Sequence, residues 1–365
     1  MNIPFFKPYI SSNEIDAISR VLTSGKLSRG KEVEEFEKEF AGYVGKKYAI
    51  AINSGTSALH ILVRVLGWGA GDEIITTPFS YVASSNALLF EGVTPVFVDI
   101  DPETLNIDPE KIEEKITPKT KGILVVHILG LPANAEKIQH IKNKYKLQII
   151  EDACEAVGVP GVNFTVSTVG EATVYGFHEN KQITSGGEGG MIVTDDAAIA
   201  KACWSMRDQG RSLDKDWIKK VTLGFNFRMT EMQAAFGREQ LRFVDSILKR
   251  REEIAERYSN QLRGVAGVIT PHEMTHDKRS WFLYFVLLED ENMRDSLHKT
   301  LSENAITSSV NYFPPIYNFP MYANCEKECH VADTMSGRLL ALPMFYEMTN
   351  EQIDRVTSVI RDTLK

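Results

Sequence analysis

The residue best placed in this sequence to bond covalently to a ligand is Lys181, in the run ATVYGFHENKQITSGGEGGMIVT over 172–194. A β-branched and aromatic stretch at 173–177 leads into a polar turn, a glycine cluster and a second apolar stretch at 191–193. That is the pattern of two strands joined through a turn. The glycines permit positive φ and close backbone approach. Nothing in such a turn requires a lysine at its top, and a solvated surface amine is the alternative reading.

Three other stretches carry polar chemistry at the ends of apolar runs. Asn53-Ser54-Gly55-Thr56-Ser57 follows YAIAI and opens a helical pattern. Free N–H groups and the positive end of a helix dipole make such a turn an anion site, and a plain N-cap by Ser54 or Thr56 is the alternative. Asp152 ends the apolar run LQIIED, and open parallel sheets bind ligands at those ends. A desolvated carboxylate there needs a cationic partner, unless it only caps the next helix. Tyr81, in ITTPFSYVASSN, offers a ring to cover a flat ligand or to fill a core. An anion cradle, an aromatic cover, a buried acid and an amine together match the needs of pyridoxal 5′-phosphate (PLP). The cradle takes its phosphate, the tyrosine stacks on its ring, the acid keeps the pyridine nitrogen protonated and the lysine takes the aldehyde.

Positioning such groups requires strand ends gathered on one edge, and the chain supplies them. Two N-terminal helices, over 12–24 and from 32 to 43, precede an alternation of apolar runs with amphipathic stretches. YAIAI, EIITT, PVFVDI, GILVVHI and LQIIED read as strands. NSGTSALHILVRVL, SYVASSNALLFEG, PEKIEEKI and AEKIQHIKNKYK read as the helices between them. This is an α/β pattern: a mostly parallel sheet with right-handed crossovers, flanked by helices. A long helix from about 229 to 258 follows, then WFLYFVLL as a strand, RDSLHKTLSENAI as a helix, SSVNYF as a strand and EQIDRVTSVIRDTLK as a closing helix. The expected division is a large domain over 1–245 and a smaller α+β domain over 246–365.

The bulk numbers narrow the partners. The 365 residues are 43% hydrophobic and 25% charged, with a net charge of −8, ordinary for a globular enzyme and unsuited to a broad nucleic-acid face. No basic region followed by an apolar core opens the chain. Arg64 splits the apolar run ILVRVLGW, so no membrane span is expected. Four cysteines in a chain this long point to reduced thiols in the cytoplasm. Cys325, Cys329 and His330 lack a fourth ligand for a metal. Neither G-x-G-x-x-G nor a P-loop occurs, which argues against a dehydrogenase or an ATPase.

The chain resembles the DegT/DnrJ/StrS sugar aminotransferases over nearly its whole length. The resemblance is carried by NSGTSALH, PVFVDIDPETLNIDPEKIE, IIEDACEA, FHENKQITSGGEGGMIVTDD, GFNFRMTEMQAAFGREQL and ALPMFYEMTNEQID. It implies the type I, aspartate-aminotransferase-like fold of PLP enzymes. By that resemblance Lys181 is the Schiff-base lysine, Asp152 the partner of the pyridine nitrogen, Tyr81 the stacking ring, and Gly55 and Thr56 the phosphate ligands. Asn226 is expected to reach the neighbouring subunit's cofactor phosphate, which implies a homodimer with shared sites. Arg228 is a candidate for the substrate's diphosphate; Arg29 and Tyr312 are further substrate candidates. Glu155 stands over the cofactor where relatives carry His or Gln, and Gly176 where they commonly carry a phosphate-binding serine. Asn311 and Tyr317 stand near the Y-F-P-P run, where relatives often have Arg or His. The implied reaction moves an amino group from an amino acid, glutamate in the family, to a nucleotide-linked keto-sugar. Two alternatives on the same scaffold are a PLP-dependent sugar dehydratase, in which a histidine replaces the lysine, and a non-catalytic regulatory protein that binds sugar nucleotides.

Overall fold

Local capping sets where the elements begin. The computed structural model describes residues 2–158, 166–212, 219–272, 279–310 and 314–365. Helix α1 (Ser12–Ser24) starts in a capping box, with Glu14 reaching back to the Ser11 amide at 2.8 Å, and ends at Gly25 with φ 69°. Helix α2 (Lys31–Tyr43) follows, then β1 (Tyr48–Ile52), α3 (Gly55–Val65), β2 (Glu73–Thr76), α4 (Ala83–Leu89), β3 (Thr94–Phe97), β4 (Thr120–Val126), α5 (Ala135–Tyr145) and β5 (Gln148–Asp152). The chain continues through β6 (Ala172–Gly176), β7 (Gly190–Thr194), α6 (Ala197–Arg207) and α7 (Glu231–Leu262). It closes with β8 (Val268–Ile269), β9 (Tyr284–Leu288), α8 (Glu291–Glu303), α9 (His330–Arg338), β10 (Leu339–Leu342) and α10 (Asn350–Thr363).

Seven strands form the large sheet, in the order β1-β7-β6-β5-β4-β2-β3. β3, β2, β4, β5 and β6 pair in parallel, and β7 runs antiparallel to both neighbours. The reversal at β7 goes with its connection, because residues 177–189 form turns and bends with no helix to carry the chain back across the sheet, and a parallel neighbour needs such a crossover. It also puts the first residue of β7 beside the last of β6, with Gly176 registered opposite Gly190. Lys181 therefore sits in the turn at the edge where β1, β2, β4, β5 and β6 deliver their carboxyl ends.

Helices cover both faces, as near-continuous apolar strands demand. α2 and α7 bury Phe36, Phe40, Ala234 and Val244 against Tyr175 and Met191. α3 and α6 bury Leu59, Leu62 and Cys203 with Ile50 and Ile192 on the other face. Phe36 is fully buried, a burial that contributes roughly 1.5–3 kcal/mol. Its ring lies against α7 so closely that a Cβ on Gly237 would come within 2.7 Å of it.

A three-stranded antiparallel sheet, β10-β9-β8, organises the C-terminal part. α8, α10 and the second half of α7 pack on it through Leu297, Val356, Tyr258 and Leu262. α7 serves both cores, so the expected boundary at 245/246 falls inside one continuous helix. Ile3 also joins the second core and bridges Ile306.

Some local expectations differ from the structure. PEKIEEKI forms two 3-10 turns, Pro109–Lys111 and Glu113–Lys115, in place of an α-helix. Only Ile112 of that run is buried, and Pro118 forces the residue before it out of helical geometry. In SSVNYF the described part makes a single bridge, Ser309 to Ala341, and residues 311–313 lie outside the described residues. α6, α9 and β10 were not anticipated: alanines blur the periodicity of α6, and a four-residue apolar run is ambiguous between helix and strand.

Candidate active site

Lys181, Asp152, Tyr81, Gly55, Thr56 and Glu155 all line one cavity of about 460 Å³ at the carboxyl edge of the sheet. At one end lies the amino terminus of α3. Ser54 caps it, accepting from the Ser57 amide at 3.1 Å and donating to Ser57 Oγ at 2.9 Å. The first intrahelical bond runs from Ala58 N to Ser54 O, so the amides of Gly55 and Thr56 lie ahead of the helical ladder. Close approach of β7 holds this turn in place, since a Cβ on Gly190 would stand 2.6 Å from Ser54 C and O.

Asp152, 5% exposed at the end of β5, faces the cavity. Its Oδ2 accepts from Ser84 Oγ at 2.7 Å and its Oδ1 from Cys154 N at 3.1 Å. Ser80 and Ser84 hydroxyls lie 3.0 Å apart and extend the chain of donors. Among the described residues no lysine or arginine pairs with this carboxylate. A buried anion held only by neutral donors calls for a cation from a ligand, and a protonated pyridine nitrogen supplies one. The residues present thus fit PLP, with an anion cradle at one end and an acid awaiting a positive charge at the other.

Lys181 Nζ lies 3.6 Å from Glu155 Oε1 and 4.0 Å from the centre of the Phe282 ring. Glu155 is nearly buried, and Leu129 N donates to its Oε2 at 2.8 Å. Leu129 adopts φ 55° to aim that amide, a backbone state L-residues seldom take. Burial pushes the Glu155 carboxyl above its ordinary value, and the Lys181 ammonium only partly offsets this. Gln182 Nε2 and Ser280 Oγ both donate to Glu155 O, at 2.6 and 3.1 Å. Ser280 and Phe282 come from the segment before β9, so the C-terminal part closes one wall around the amine. Behind the site Glu151 accepts from the amides of Ser167, Val169 and Gly170 and lies 3.0 Å from His127 Nε2.

Tyr81 is 66% exposed at the mouth of the cavity. Asn226 is exposed and, like Arg29 and Arg228, does not line the cavity. Phe225 and Phe227 stack on each other at 4.6 Å, with His60 against both rings. Arg29 Nη2 and Arg228 Nη1 both donate to Asp208 Oδ1 at 2.6 Å, and Arg211 Nε lies 3.2 Å from its Oδ2. Three guanidiniums share one carboxylate there. Tyr312 lies outside the described residues. Tyr317 is buried and donates to Asp333 Oδ1 at 2.8 Å. Among the described residues no cluster of metal ligands occurs, around Cys325, Cys329 and His330 or elsewhere.

Sequence reading missed Ser84, Cys154, Gln182 and Phe282. Ser84 carried a usable signal, since it lies three residues after Tyr81 at the start of a helix leaving a strand end. Gln182 and Phe282 carried none, because their meeting at the site depends on packing between distant segments.

A sheet in this order, with its amine, its acid and its anion cradle on one edge, defines a PLP-dependent enzyme of the aspartate-aminotransferase fold class. The chain belongs to the DegT/DnrJ/EryC1/StrS aminotransferase family, whose sequence pattern matches residues 8–361. It is 36% identical to GDP-perosamine synthase of Caulobacter vibrioides, covering 98% of this chain and 97% of that protein. The crystal structure of DesV from S. venezuelae superposes with a TM-score of 0.94 at 32% identity, covering 100% of this chain and 99% of that one. The structure of NtdA from Bacillus subtilis with bound pyridoxamine phosphate superposes with a TM-score of 0.89 at 31% identity, covering 97% of this chain and 83% of that one.

Proposed function

We propose that the chain transfers an amino group from an amino acid, with glutamate as the donor, to the keto group of a nucleotide-linked sugar. The observation that carries this reading is the placement of Lys181 and Asp152 on one cavity with the α3 amides at its end. Gly55 and Thr56 would hold the phosphate of PLP, Asp152 the pyridine nitrogen, Tyr81 the ring face and Lys181 the aldehyde. When bound, the cofactor supplies an electron-withdrawing ring that stabilises negative charge at the donor's Cα. Lys181, once released from the cofactor, takes the proton from that Cα. Phe282 and the residues around Glu155 keep water from its amine. A lysine at this position favours the transaminase over the dehydratase, and an amine, an acid and an anion cradle on one cavity favour it over a binding-only protein.

Asn226 and the Asp208 arginines stand outside the cavity of their own chain. This supports a homodimer in which Asn226 serves the neighbouring site, with Arg29 and Arg228 holding the diphosphate of the sugar nucleotide. Four free cysteines fit a reducing cytoplasm, and no helix among the described residues is long and apolar enough to cross a membrane. The test is Lys181→Ala. Purified wild-type protein should be yellow and bleach with glutamate, and the variant should lack the near-visible absorbance. A variant with the wild-type spectrum would remove Lys181 from the reaction.

A further inference from the structure

Lys181 Nζ rests between two groups that come from distant parts of the chain. Glu155 Oε1 lies 3.6 Å away and the centre of the Phe282 ring 4.0 Å away. Only 14% of the lysine side chain is exposed there. An ammonium withdrawn from water needs compensation, and a carboxylate and the face of an aromatic ring both provide it.

Both partners are fixed without help from the amine. Leu129 N donates to Glu155 Oε2 at 2.8 Å, which leaves Oε1 to face Lys181. The Glu155 carbonyl accepts from Gln182 Nε2 at 2.6 Å and from Ser280 Oγ at 3.1 Å. Ser280 N donates in turn to Gly130 O at 2.9 Å. These segments dock so closely that a Cβ on Gly130 would stand 2.5 Å from Ser280 Oγ. Arg251 Nη1, from α7, donates to Trp281 O at 2.9 Å and Phe282 O at 3.1 Å. The buried Phe282 ring is thus placed over the amine by its own backbone. Burial raises the Glu155 carboxyl, the Lys181 ammonium and the Leu129 amide oppose this, and Asp152 adds to it. The Glu155 anion is therefore best stabilised while an ammonium faces it.

We propose that Glu155 and Phe282 form a seat for the Lys181 ammonium, stabilising the amine in the state in which it is not bonded to the cofactor. This rests on the PLP reading and deepens it. Lys181 gains an N–H bond when it takes the donor's Cα proton, whose electron pair stays on the carbon, and so becomes the cation that the seat accepts. Bonding to the aldehyde empties the seat: two hydrogens of the ammonium leave with the aldehyde oxygen as water, and a C=N bond replaces them. The seat thus weights the released amine against the bonded one. The alternative role is a wall that only excludes water.

Two ligands separate these roles. PLP bonds to Lys181 and draws it from the seat, whereas pyridoxamine 5′-phosphate binds with the amine still free. Their dissociation constants are measured for wild-type protein, Phe282→Leu, Phe282→Tyr and Glu155→Gln, by near-visible absorbance for PLP and by fluorescence titration for pyridoxamine 5′-phosphate. Glu155→Gln keeps an acceptor for Leu129 N. It and Phe282→Leu should each bind PLP roughly three- to thirtyfold more tightly relative to pyridoxamine 5′-phosphate, the worth of one cation contact in a desolvated site. Phe282→Tyr, which keeps the ring face, should match wild type. At a fixed 2-oxoglutarate concentration, the glutamate needed to half-bleach the loaded protein should rise in Phe282→Leu and Glu155→Gln by the same factor. An unchanged ratio of the two constants in either variant, whether both affinities move together or neither moves, would make the residues a wall and overturn the proposal. So would a ratio shifted toward pyridoxamine 5′-phosphate, or a tyrosine variant that behaves as the leucine variant does. Wild-type protein that binds neither ligand would instead remove the PLP reading on which the proposal stands.

Discussion

Replacing Asp152 with Asn should separate the stability of the empty protein from its hold on the cofactor. The carboxylate is 5% exposed and is met by Ser84 Oγ at 2.7 Å, Cys154 N at 3.1 Å and the Cys154 thiol, all of them neutral donors. Asn keeps the shape. Its oxygen can still accept from Cys154 N, and its NH2 can donate to Ser84 Oγ once that hydroxyl turns to donate to Ser80, 3.0 Å away. Every polar atom stays paired while a buried unpartnered charge disappears. Apoprotein stability should therefore hold or rise, by about 1 kcal/mol at most. Cofactor binding should suffer, because a charge-assisted hydrogen bond to a protonated ring nitrogen is worth roughly 1.5–3 kcal/mol. That loss corresponds to about ten- to a hundredfold or more in dissociation constant. Thermal melting with and without PLP, together with a fluorescence titration, reads both quantities. The expected signature is a melting temperature unchanged or higher without cofactor, and a smaller gain on adding it. An apoprotein destabilised by more than about 2 kcal/mol with cofactor affinity intact would make Asp152 a structural cap and refute the reasoning.

Further perturbations test the surroundings. Gly176→Ser should weaken cofactor binding and cost about 1–3 kcal/mol of stability, because its Cβ meets Cys154 at 3.1 Å; the same titration and a urea melt check it. Burial pushes Glu151 up, but the hydrogen bond and charge of His127 and the amide donors outweigh burial and hold it below its ordinary 4.5. Its contribution is thus complete above about pH 4.5 and is lost as the pH falls through the lowered folded value. Glu151→Gln should cost about 3 kcal/mol at pH 7 and flatten the acid limb of a stability–pH curve measured by urea denaturation. Lys181→Ala and Asn226→Ala, inactive apart, should recover about a quarter of wild-type activity when co-refolded as a two-fold dimer with shared sites; no recovery would place Asn226 outside the neighbouring site. Arg29→Ala and Arg228→Ala should raise KM for the sugar nucleotide while bleaching by glutamate proceeds at the wild-type rate.

The sequence by itself determined the alternation of strands and helices, and with it the edge where chemistry gathers. Asp152, Tyr81 and Gly55 each follow an apolar run, and strand ends in a parallel sheet share one side. Local rules sufficed there, because hydrophobic period and turn chemistry are written in neighbouring residues. The structure starts α1 and α7 in capping boxes at Ser11 and Thr230 by rules of the same local kind. Where a run was short or ended at a proline, as at PEKIEEKI, the period was too brief to decide between helix types.

Only the tertiary structure decided what surrounds the amine. Lys181 meets Glu155 through a left-handed Leu129 peptide, and meets Phe282 across about a hundred residues of chain. Cys154 fills a notch made by two glycines from different elements. Arg29 and Arg228 converge on Asp208 although they lie far apart in sequence. Such pairings depend on how distant segments pack, and packing is a property of volumes and shapes in contact that no single stretch of residues encodes.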